Sequence, residues 1–261
     1  MTLTFYKYQG TGNDFILVDN RKNIFDLSRI DIVSKISKRR FGIGSDGLIL
    51  LQEKSGYDFE MIFFNPDGSK SLCGNGSRCI VAFAASLGII KNKARFLAID
   101  GEHTATLENG IVSLRMNDVK AVEAGEDFYY LNTGSPHYCT FVNEIQEFDV
   151  IKQGKRIRFS ERFKKEGTNV NFLEKVVDAV FVRTYERGVE NETLSCGTGV
   201  TASGLVAAIK GVSTGKDFCE IQTLGGKLKV KFKRQSDNSF TDIYLEGPAE
   251  FVFCGSIEIS E

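Results

Sequence analysis

A cysteine followed by Gly-x-Gly and then an apolar run at helical spacing occurs twice in this chain, and that repeat constrains the fold more than any other feature. The first copy is Cys73-Gly74-Asn75-Gly76, leading into Ile80, Val81, Phe83 and Ala84. The second is Cys196-Gly197-Thr198-Gly199, leading into Ala202, Leu205, Val206 and Ile209. Each cysteine is therefore expected at a helix N-terminus, where first-turn N–H groups lack intrahelical partners and the helix dipole favours negative charge. A thiol placed there ionises more readily, and the same N–H groups can hold a carboxylate or a phosphate. Two such units imply one site with two thiols facing each other.

The repeat extends well beyond the cysteines. Thr11-Gly12-Asn13-Asp14-Phe15 is answered 122 residues later by Thr133-Gly134-Ser135-Pro136-His137, and Arg40-Phe41 by Arg162-Phe163. Asp58–Gly68 is answered by Asp178–Gly188, Cys73 by Cys196 at an offset of 123, and Ala105–Val112 more loosely by Gly225–Val230. A nearly constant offset predicts two similar domains related by a pseudo-twofold axis. In the first half the pattern predicts strands at Thr4–Tyr8, Ile16–Val18, Leu48–Leu51, Asp58–Phe64, Ala94–Ile99, His103–Leu107 and Ile111–Met116, and a helix over 29–40 stopped near Gly42. The cysteine helices are too apolar all round to lie on a surface, so a curved mixed sheet is expected to wrap each one. The expected class is α+β: residues 1–119 form an N-terminal domain carrying Cys73, and residues 120–249 a C-terminal domain carrying Cys196. A last strand in 250–261 returns to the first domain, and the active site lies in the cleft between the two.

Composition excludes several classes. With 261 residues, 42% hydrophobic and 26% charged, at a formal net charge of −1, no global field recruits nucleic acid or an acidic membrane surface. Lys152–Arg158 and Lys227–Arg234 are locally basic, and the alternation of Leu228, Val230 and Phe232 makes the latter a solvated sheet face. No run approaches a membrane span, and the N-terminus lacks a secretory signal pattern, which sets a cytoplasmic expectation. The six cysteines are then expected as thiols, with Cys79, Cys139, Cys219 and Cys254 structural and His103 at the surface. No C-x-x-C pair occurs and histidines number two, so no zinc site is expected. Gly10-Thr11-Gly12 and Gly42-Ile43-Gly44 look faintly like phosphate loops, but no Gly-Lys-Ser/Thr follows and no nucleotide site is expected.

Two symmetric thiols suit one chemistry in particular. Inverting a stereocentre beside a carboxylate requires a base on one face of the carbon and an acid on the other. The α-proton of an amino acid is weakly acidic, so the dianionic carboxylate formed on its removal needs stabilisation. Preorganised N–H donors in a dry site contribute about 3–4 kcal/mol each, against about 0.3–1 kcal/mol for an exposed dipole interaction. The thiol pair then carries one proton between its two members.

Taken together, these residues resemble the diaminopimelate epimerase family. The motifs are Gly12-Asn13-Asp14-Phe15, Asn65-Pro66-Asp67-Gly68-Ser69, Gly134-Ser135-Pro136-His137, Gly167-Thr168-Asn169-Val170-Asn171-Phe172, Glu186-Arg187-Gly188 and the two cysteine units. The resemblance implies a cofactor-independent epimerase, with neither pyridoxal phosphate nor metal, that interconverts LL- and meso-diaminopimelate for lysine and peptidoglycan precursors. It implies Cys73 and Cys196 as the acid/base thiols, with His137 and Glu186 as the proton partners that set their pKa values. By the same resemblance Gly74, Asn75, Gly197 and Thr198 hold the reacting carboxylate. Asn13, Asn65, Asn169, Glu186 and Arg187 contact the rest of a small amino-acid substrate, and the family is usually dimeric. Three departures stand out. Gly47 occupies a position where some members carry a glutamine, Ser135 replaces the asparagine more usual before Pro-His, and the segment from Glu186 to Cys196 is one residue longer than the family pattern. A proline or hydroxyproline racemase-like enzyme is the alternative within the class, and a thiol redox protein the alternative outside it.

Overall fold

Two strands with continuous apolar runs, Phe15–Val18 and Leu48–Leu51, are buried on both faces, the pattern of a sheet covered on either side by helices. The computed structural model describes residues 2–259, and the chain divides into two compact units, Met1–Leu114 with Pro248–Glu261, and Arg115–Gly247. Residues 1, 260 and 261, at the ends of the expected first domain and its returning strand, lie outside the described residues. The division falls ahead of position 119 because the backbones of Met116 and Val119 bond to Ile243 and Phe240 of the second unit.

In the first unit β1 (Thr2–Gly10) and β2 (Asn13–Asp19) form an antiparallel hairpin. Its turn holds Thr11 and Gly12 at φ 53° and 82°, the left-handed pair that matches strand twist in a two-residue loop. Helix α1 (Ile30–Ser37) follows, and β3 (Gly47–Gln52) then runs parallel to β2 and antiparallel to β4 (Phe59–Phe64). The helix is shorter than the expected 29–40. Lys38 leaves it with extended backbone, and the N–H groups of Gly44 and Ser45 fold back onto the carbonyls of Ile36 and Ser37 at 2.9 and 3.0 Å. The second glycine loop is thus a helix stop. Helix α2 (Gly74–Ser86) precedes β5 (Lys93–Ala98), β6 (Gly101–Glu108) and β7 (Ile111–Arg115). Strand β5 lies parallel to β4, where Phe59 and Phe96 stack at 5.0 Å between ring centroids.

The second unit repeats this order and these pairings. After the short β8 (Glu123–Ala124), β9 (Tyr129–Asn132) pairs antiparallel with β10 (Pro136–Phe141), and α3 (Val150–Arg158) follows. Strand β11 (Asn169–Val176) is parallel to β10 and antiparallel to β12 (Ala179–Glu186). The three-residue β13 (Asn191–Thr193), α4 (Gly197–Lys210), β14 (Phe218–Thr223), β15 (Gly226–Arg234) and β16 (Phe240–Pro248) complete it. Strand β17 (Glu250–Glu258) returns to the first unit, antiparallel to β1.

Strand alternation sorts each sheet into two faces. Ile16, Val18, Leu48 and Leu50 pack with Val33 and Ile36 of α1, and Val170 and Phe172 pack with Val150 of α3. The other face meets the cysteine helix: α2 touches β1, β2, β3, β4 and β6, while α4 touches β10, β11, β12, β14 and β15. Val200, Ala202, Leu205, Val206 and Ala207 of α4 are all fully buried, which is why its sequence shows no polar stripe. Among the described residues no helix is long and apolar enough to cross a membrane.

Two expectations for single residues are corrected. His103 is buried rather than at the surface, stacked on Phe96 and bonded through Nε2 to Asp100 at 2.8 Å. Cys254, expected to be structural, is exposed, as are Phe251, Val252 and Phe253 beside it on β17.

Helix α3 offers a test of packing against propensity. Gly154 sits mid-helix, where alanine ordinarily gains about 0.5–1 kcal/mol. Here a Cβ would stand 2.4 Å from the Cβ of the buried Tyr185, so we expect Gly154→Ala to lose about 1–3 kcal/mol instead. Urea unfolding of the two proteins measures the sign.

Candidate active site

The N-terminus of α2 is built on an ordered turn. Asp67 accepts from the N–H and Oγ of Ser69 at 2.9 and 2.6 Å, and Asn65 Nδ2 donates to Ser69 Oγ and Ser71 Oγ at 3.0 and 3.1 Å. Cys73 is the N-cap, with extended backbone, and its half-buried Sγ accepts from the Gly76 N–H at 3.4 Å. An N-cap sulfur therefore lies among the first-turn donors.

Asn13 meets this helix end from the β1–β2 turn. Its Oδ1 accepts from Asn75 Nδ2 at 3.1 Å and from Cys73 Sγ at 3.7 Å. Its Nδ2 donates to Asp46 Oδ2 at 2.6 Å, and Arg39 Nη2 donates to Asp46 Oδ1 at 2.9 Å. Asp46 fixes which way the Asn13 amide points, since a carboxylate can only accept. The structure thus gathers Cys73, Gly74, Asn75 and Asn13, while the amide of Asn65 is held within its own loop. Asp46 was missed because Gly44-Ser45-Asp46-Gly47 reads as a turn, and a turn explains an aspartate without any partner. Gly47 has no room for a longer side chain: a Cβ would lie 2.3 Å from the Phe63 ring and 2.7 Å from the Phe64 carbonyl oxygen.

Cys196 caps α4 in the same extended conformation, buried, with Sγ 3.5 Å from Thr198 Oγ1. Thr133 Oγ1 donates to the Thr198 carbonyl at 2.9 Å, which ties the β9–β10 turn to the helix end as Asn13 ties its counterpart. Beneath the cysteine lies His137, wholly buried. Asn171 Nδ2 stands 3.1 Å from His137 Nδ1 and donates to the Tyr138 carbonyl, while its Oδ1 accepts from Thr184. Those bonds orient the amide, so Nδ1 is the acceptor and the imidazole proton sits on Nε2. Nε2 has no hydrogen-bond partner among the described residues. Burial, helped by the positive charge of Arg187, pulls the His137 pKa down to about 3. His137 is therefore a neutral N–H donor near neutral pH.

Gly199 shows how tightly this half is packed. A Cβ there would stand 2.4 Å from Asn171 Oδ1 and 3.4 Å from both Cys196 Cβ and His137 Cε1. The second glycine of Cys-Gly-Thr-Gly is needed for that approach. Asn171 was not singled out from sequence; its signal was a polar residue on the inward face of a buried strand.

Asn169 and Arg187 form a second cluster in the same unit. Asn169 Nδ2 donates to Ser135 Oγ at 3.0 Å, and its Oδ1 accepts from the Arg187 N–H at 2.9 Å. Arg187 Nη1 and Nη2 donate to the Glu166 carbonyl at 2.9 Å and to Ser135 Oγ at 3.4 Å. Ser135 thus uses its hydroxyl to hold the two residues beside it. Glu186 Oε2 accepts from Thr193 Oγ1 at 2.9 Å. The segment after it turns back locally. Glu190 takes φ 55° and its N–H returns to the Glu186 carbonyl at 2.8 Å, leaving Glu186 opposite Asn191 in the ladder.

The other buried thiols are suppressed rather than activated: burial pushes Cys139 up to about 12 and Cys219 up to about 11, and drives Cys79 upward as well. Among the described residues no cluster of three or more His, Cys, Asp or Glu side chains is placed to hold a metal ion.

The sequence profile of the family described as "Diaminopimelate epimerase" matches residues 5–122 and 129–252. A "Diaminopimelate epimerase" of Flavobacterium psychrophilum is 50% identical over 254 residues, which cover 96% of this chain and 98% of that one. One of Aquifex aeolicus is 39% identical, covering 98% of each. Among solved structures, a phenazine biosynthesis protein of the PhzF family from Bacillus anthracis superimposes with a TM-score of 0.77 at 15% identity, covering 99% of this chain and all (100%) of that one. A hydroxyproline epimerase from Agrobacterium vitis gives 0.67 at 16% identity, covering 98% and 92%. At such identities the structures share the fold alone.

The imidazole gives a pH test. Its folded-state value lies below the 6.5 of an unperturbed histidine, so the unfolded chain takes up a proton first as pH falls. The stability linked to it is complete above about pH 6.5 and is lost on acidification towards about pH 3. Between pH 7 and 5 this amounts to about 2 kcal/mol. In urea unfolding the native protein is expected to lose that much more than His137→Gln over the interval; equal losses would mean a charged imidazole.

Proposed function

The chain belongs to the diaminopimelate epimerase family, and from that premise we propose that it interconverts LL- and meso-diaminopimelate by moving the α-proton between two thiols, Cys73 and Cys196. One sulfur, as thiolate, takes the proton from the α-carbon. The carbon–hydrogen electron pair passes into the carboxylate, and the other sulfur, as thiol, delivers its proton to the opposite face. Each turnover leaves the pair with the same single proton and its members exchanged. No net oxidation occurs, so the chemistry asks for no redox cofactor.

The observation that carries this reading is the same N-cap placement of a cysteine on a buried helix in both units. A free thiol of pKa about 8.5 is only a few per cent ionised at neutral pH. An N-cap position raises that fraction, and the neutral His137 keeps its one proton on Nε2, where it can donate to an anion. Gly74, Asn75, Gly197 and Thr198 present first-turn donors to the reacting carboxylate, where charge develops in the transition state. At the distal end Arg187 can fork onto the second carboxylate, and Glu186 can pair with the ammonium. Asn13 and Asn169 complete the polar lining. A dimer of identical chains working in the cytoplasm fits this reading. The full-length relatives disfavour a proline racemase-like enzyme, which has no use for Arg187 and Glu186 at a distance. They equally disfavour a thiol redox protein.

The decisive experiment follows α-proton exchange in deuterium oxide with both stereoisomers under reducing conditions. Exchange should accompany conversion of LL to meso, and Cys73→Ala or Cys196→Ala should each lower it by about 10²–10⁴-fold or more. Full activity in either variant rejects the two-thiol scheme, and faster turnover of proline than of diaminopimelate rejects the substrate.

A further inference from the structure

The Gly10-Thr11-Gly12 loop, which binds no nucleotide in this reading, encloses the guanidinium of Arg78. Thr11 Oγ1 accepts from Arg78 Nη2 at 3.2 Å, and a Cβ on Gly10 would crowd that nitrogen at 3.1 Å. Arg78 Nε donates to the Pro248 carbonyl at 3.4 Å and Nη1 to Asn75 Oδ1 at 2.9 Å. All of these acceptors are neutral. Arg78 is 0% exposed, and among the described residues no carboxylate pairs with it.

The charges around it cancel without it. Asp14 pairs with Lys7 and Arg39, and Asp46 with Arg39. Burial draws the Arg78 pKa down, yet a guanidinium starts so high that it stays protonated near neutral pH. A buried cation with no counter-charge is among the costliest groups a fold can keep. Arg78 lies on α2 five positions after Cys73; negative charge on Cys79 and, more weakly, on Cys73 favours its protonated form, but burial keeps Cys79 a neutral thiol, so Cys73 is the partner that can carry the charge. The attraction is mutual, as linkage requires. The equivalent position in the second unit, 123 residues on, is Thr201, whose hydroxyl merely bonds the Gly197 carbonyl at 2.9 Å. The cation is specific to the first half.

We propose that Arg78 is a positioning residue for the Cys73 half of the reaction: its buried, unbalanced charge stabilises the Cys73 thiolate and a bound carboxylate, and its Nη1 bond turns the Asn75 amide towards Asn13. This rests on the two-thiol reading above. The guanidinium is the counter-charge that the anion at the mouth of α2 would otherwise lack. Because Asn75 Oδ1 is committed to Arg78, Asn75 Nδ2 faces Asn13 Oδ1, and Asp46 closes the chain of amides from the other end; that chain holds the protonated Cys73 in place through Asn13 Oδ1, and the charge of Arg78 is what favours the thiolate.

The test reads Cys73 itself. In the full-length protein, iodoacetamide labelling of the Cys73 peptide is followed by mass spectrometry across about pH 7–10, where carboxylates stay charged and imidazoles neutral. The other ionisable groups on α2 and the elements packed against it are Cys79 on α2, Tyr6, Lys7 and Tyr8 on β1, Asp14 and Asp19 on β2, Glu60 on β4, Glu102, His103 and Glu108 on β6, and Glu250, Cys254 and Glu258 on β17, with Asp46 and Arg39 beside them. Arg78→Met is expected to raise the labelling midpoint by about one pH unit and to slow labelling about tenfold at pH 7. Arg78→Lys, which keeps the charge, should hold the midpoint within about 0.3 unit while kcat falls, because a single ammonium does not reproduce the fork. A folded Arg78→Met with the native midpoint overturns the proposal. A native midpoint at or above the free-thiol value of about 8.5 also overturns it, even if no variant folds. Exchange activity surviving Cys73→Ala would instead overturn the two-thiol reading, so the two failures are distinct.

Discussion

Helix N-termini are the physical constraint on which this structure depends. The first turn of an α-helix leaves N–H groups that its own carbonyls cannot reach, and burying such an end demands partners from elsewhere. In both units a cysteine holds the N-cap position and its carbonyl accepts the first intrahelical bond, from Ser77 or Val200 at 2.8 Å, and in the first unit the Cys73 sulfur also accepts from the orphan Gly76 N–H at 3.4 Å. The sheet, the flanking α1 and α3 and the β-turns serve to hold one buried helix with its N-terminal end presented to a ligand. Placing a donor cradle on a rigid, fully packed element is what lets it act without reorganising when charge develops.

The duplication conserves the backbone and diversifies what lies beneath each sulfur. By strand register Phe15 opposes Gly47 in the first unit, where His137 opposes Asn169 in the second. Ile49 approaches Gly76 from below, and Asn171 takes the matching place under Gly199. The first half therefore sets an apolar floor and one buried cation around its thiol. The second sets a network of neutral hydrogen bonds whose imidazole is kept uncharged by burial. Two chemically unlike supports for two geometrically alike thiols fit a reaction whose two directions start from different stereoisomers.

Each of the three departures expected from the resemblance falls at a position with a local physical account. The Phe63 ring occupies the space beside Gly47, the Ser135 hydroxyl takes bonds from both Asn169 and Arg187, and a left-handed Glu190 folds the segment after Glu186 back onto the Glu186 carbonyl. None of the three moves a cysteine off its helix end.

Much of this was determined by the sequence alone, because its signals are local or periodic. The Cys-Gly-x-Gly units, the offset of 122–123, the alternating strands and the all-round apolar helices specify a duplicated α+β chain with two capped thiols. Contacts between residues far apart in the chain were decided only by tertiary structure. Asp46 and Asn171 sit in segments whose turn or strand character already explains them, and Gly10-Thr11-Gly12 imitates an anion loop while wrapping a cation. His103 and Cys254 were misplaced for the same reason: burial of a single side chain depends on which strand face is covered, and that is settled by packing. The protonation of His137 belongs to this second class too, since a pKa is set by the dielectric and charges around a group, which no stretch of sequence contains.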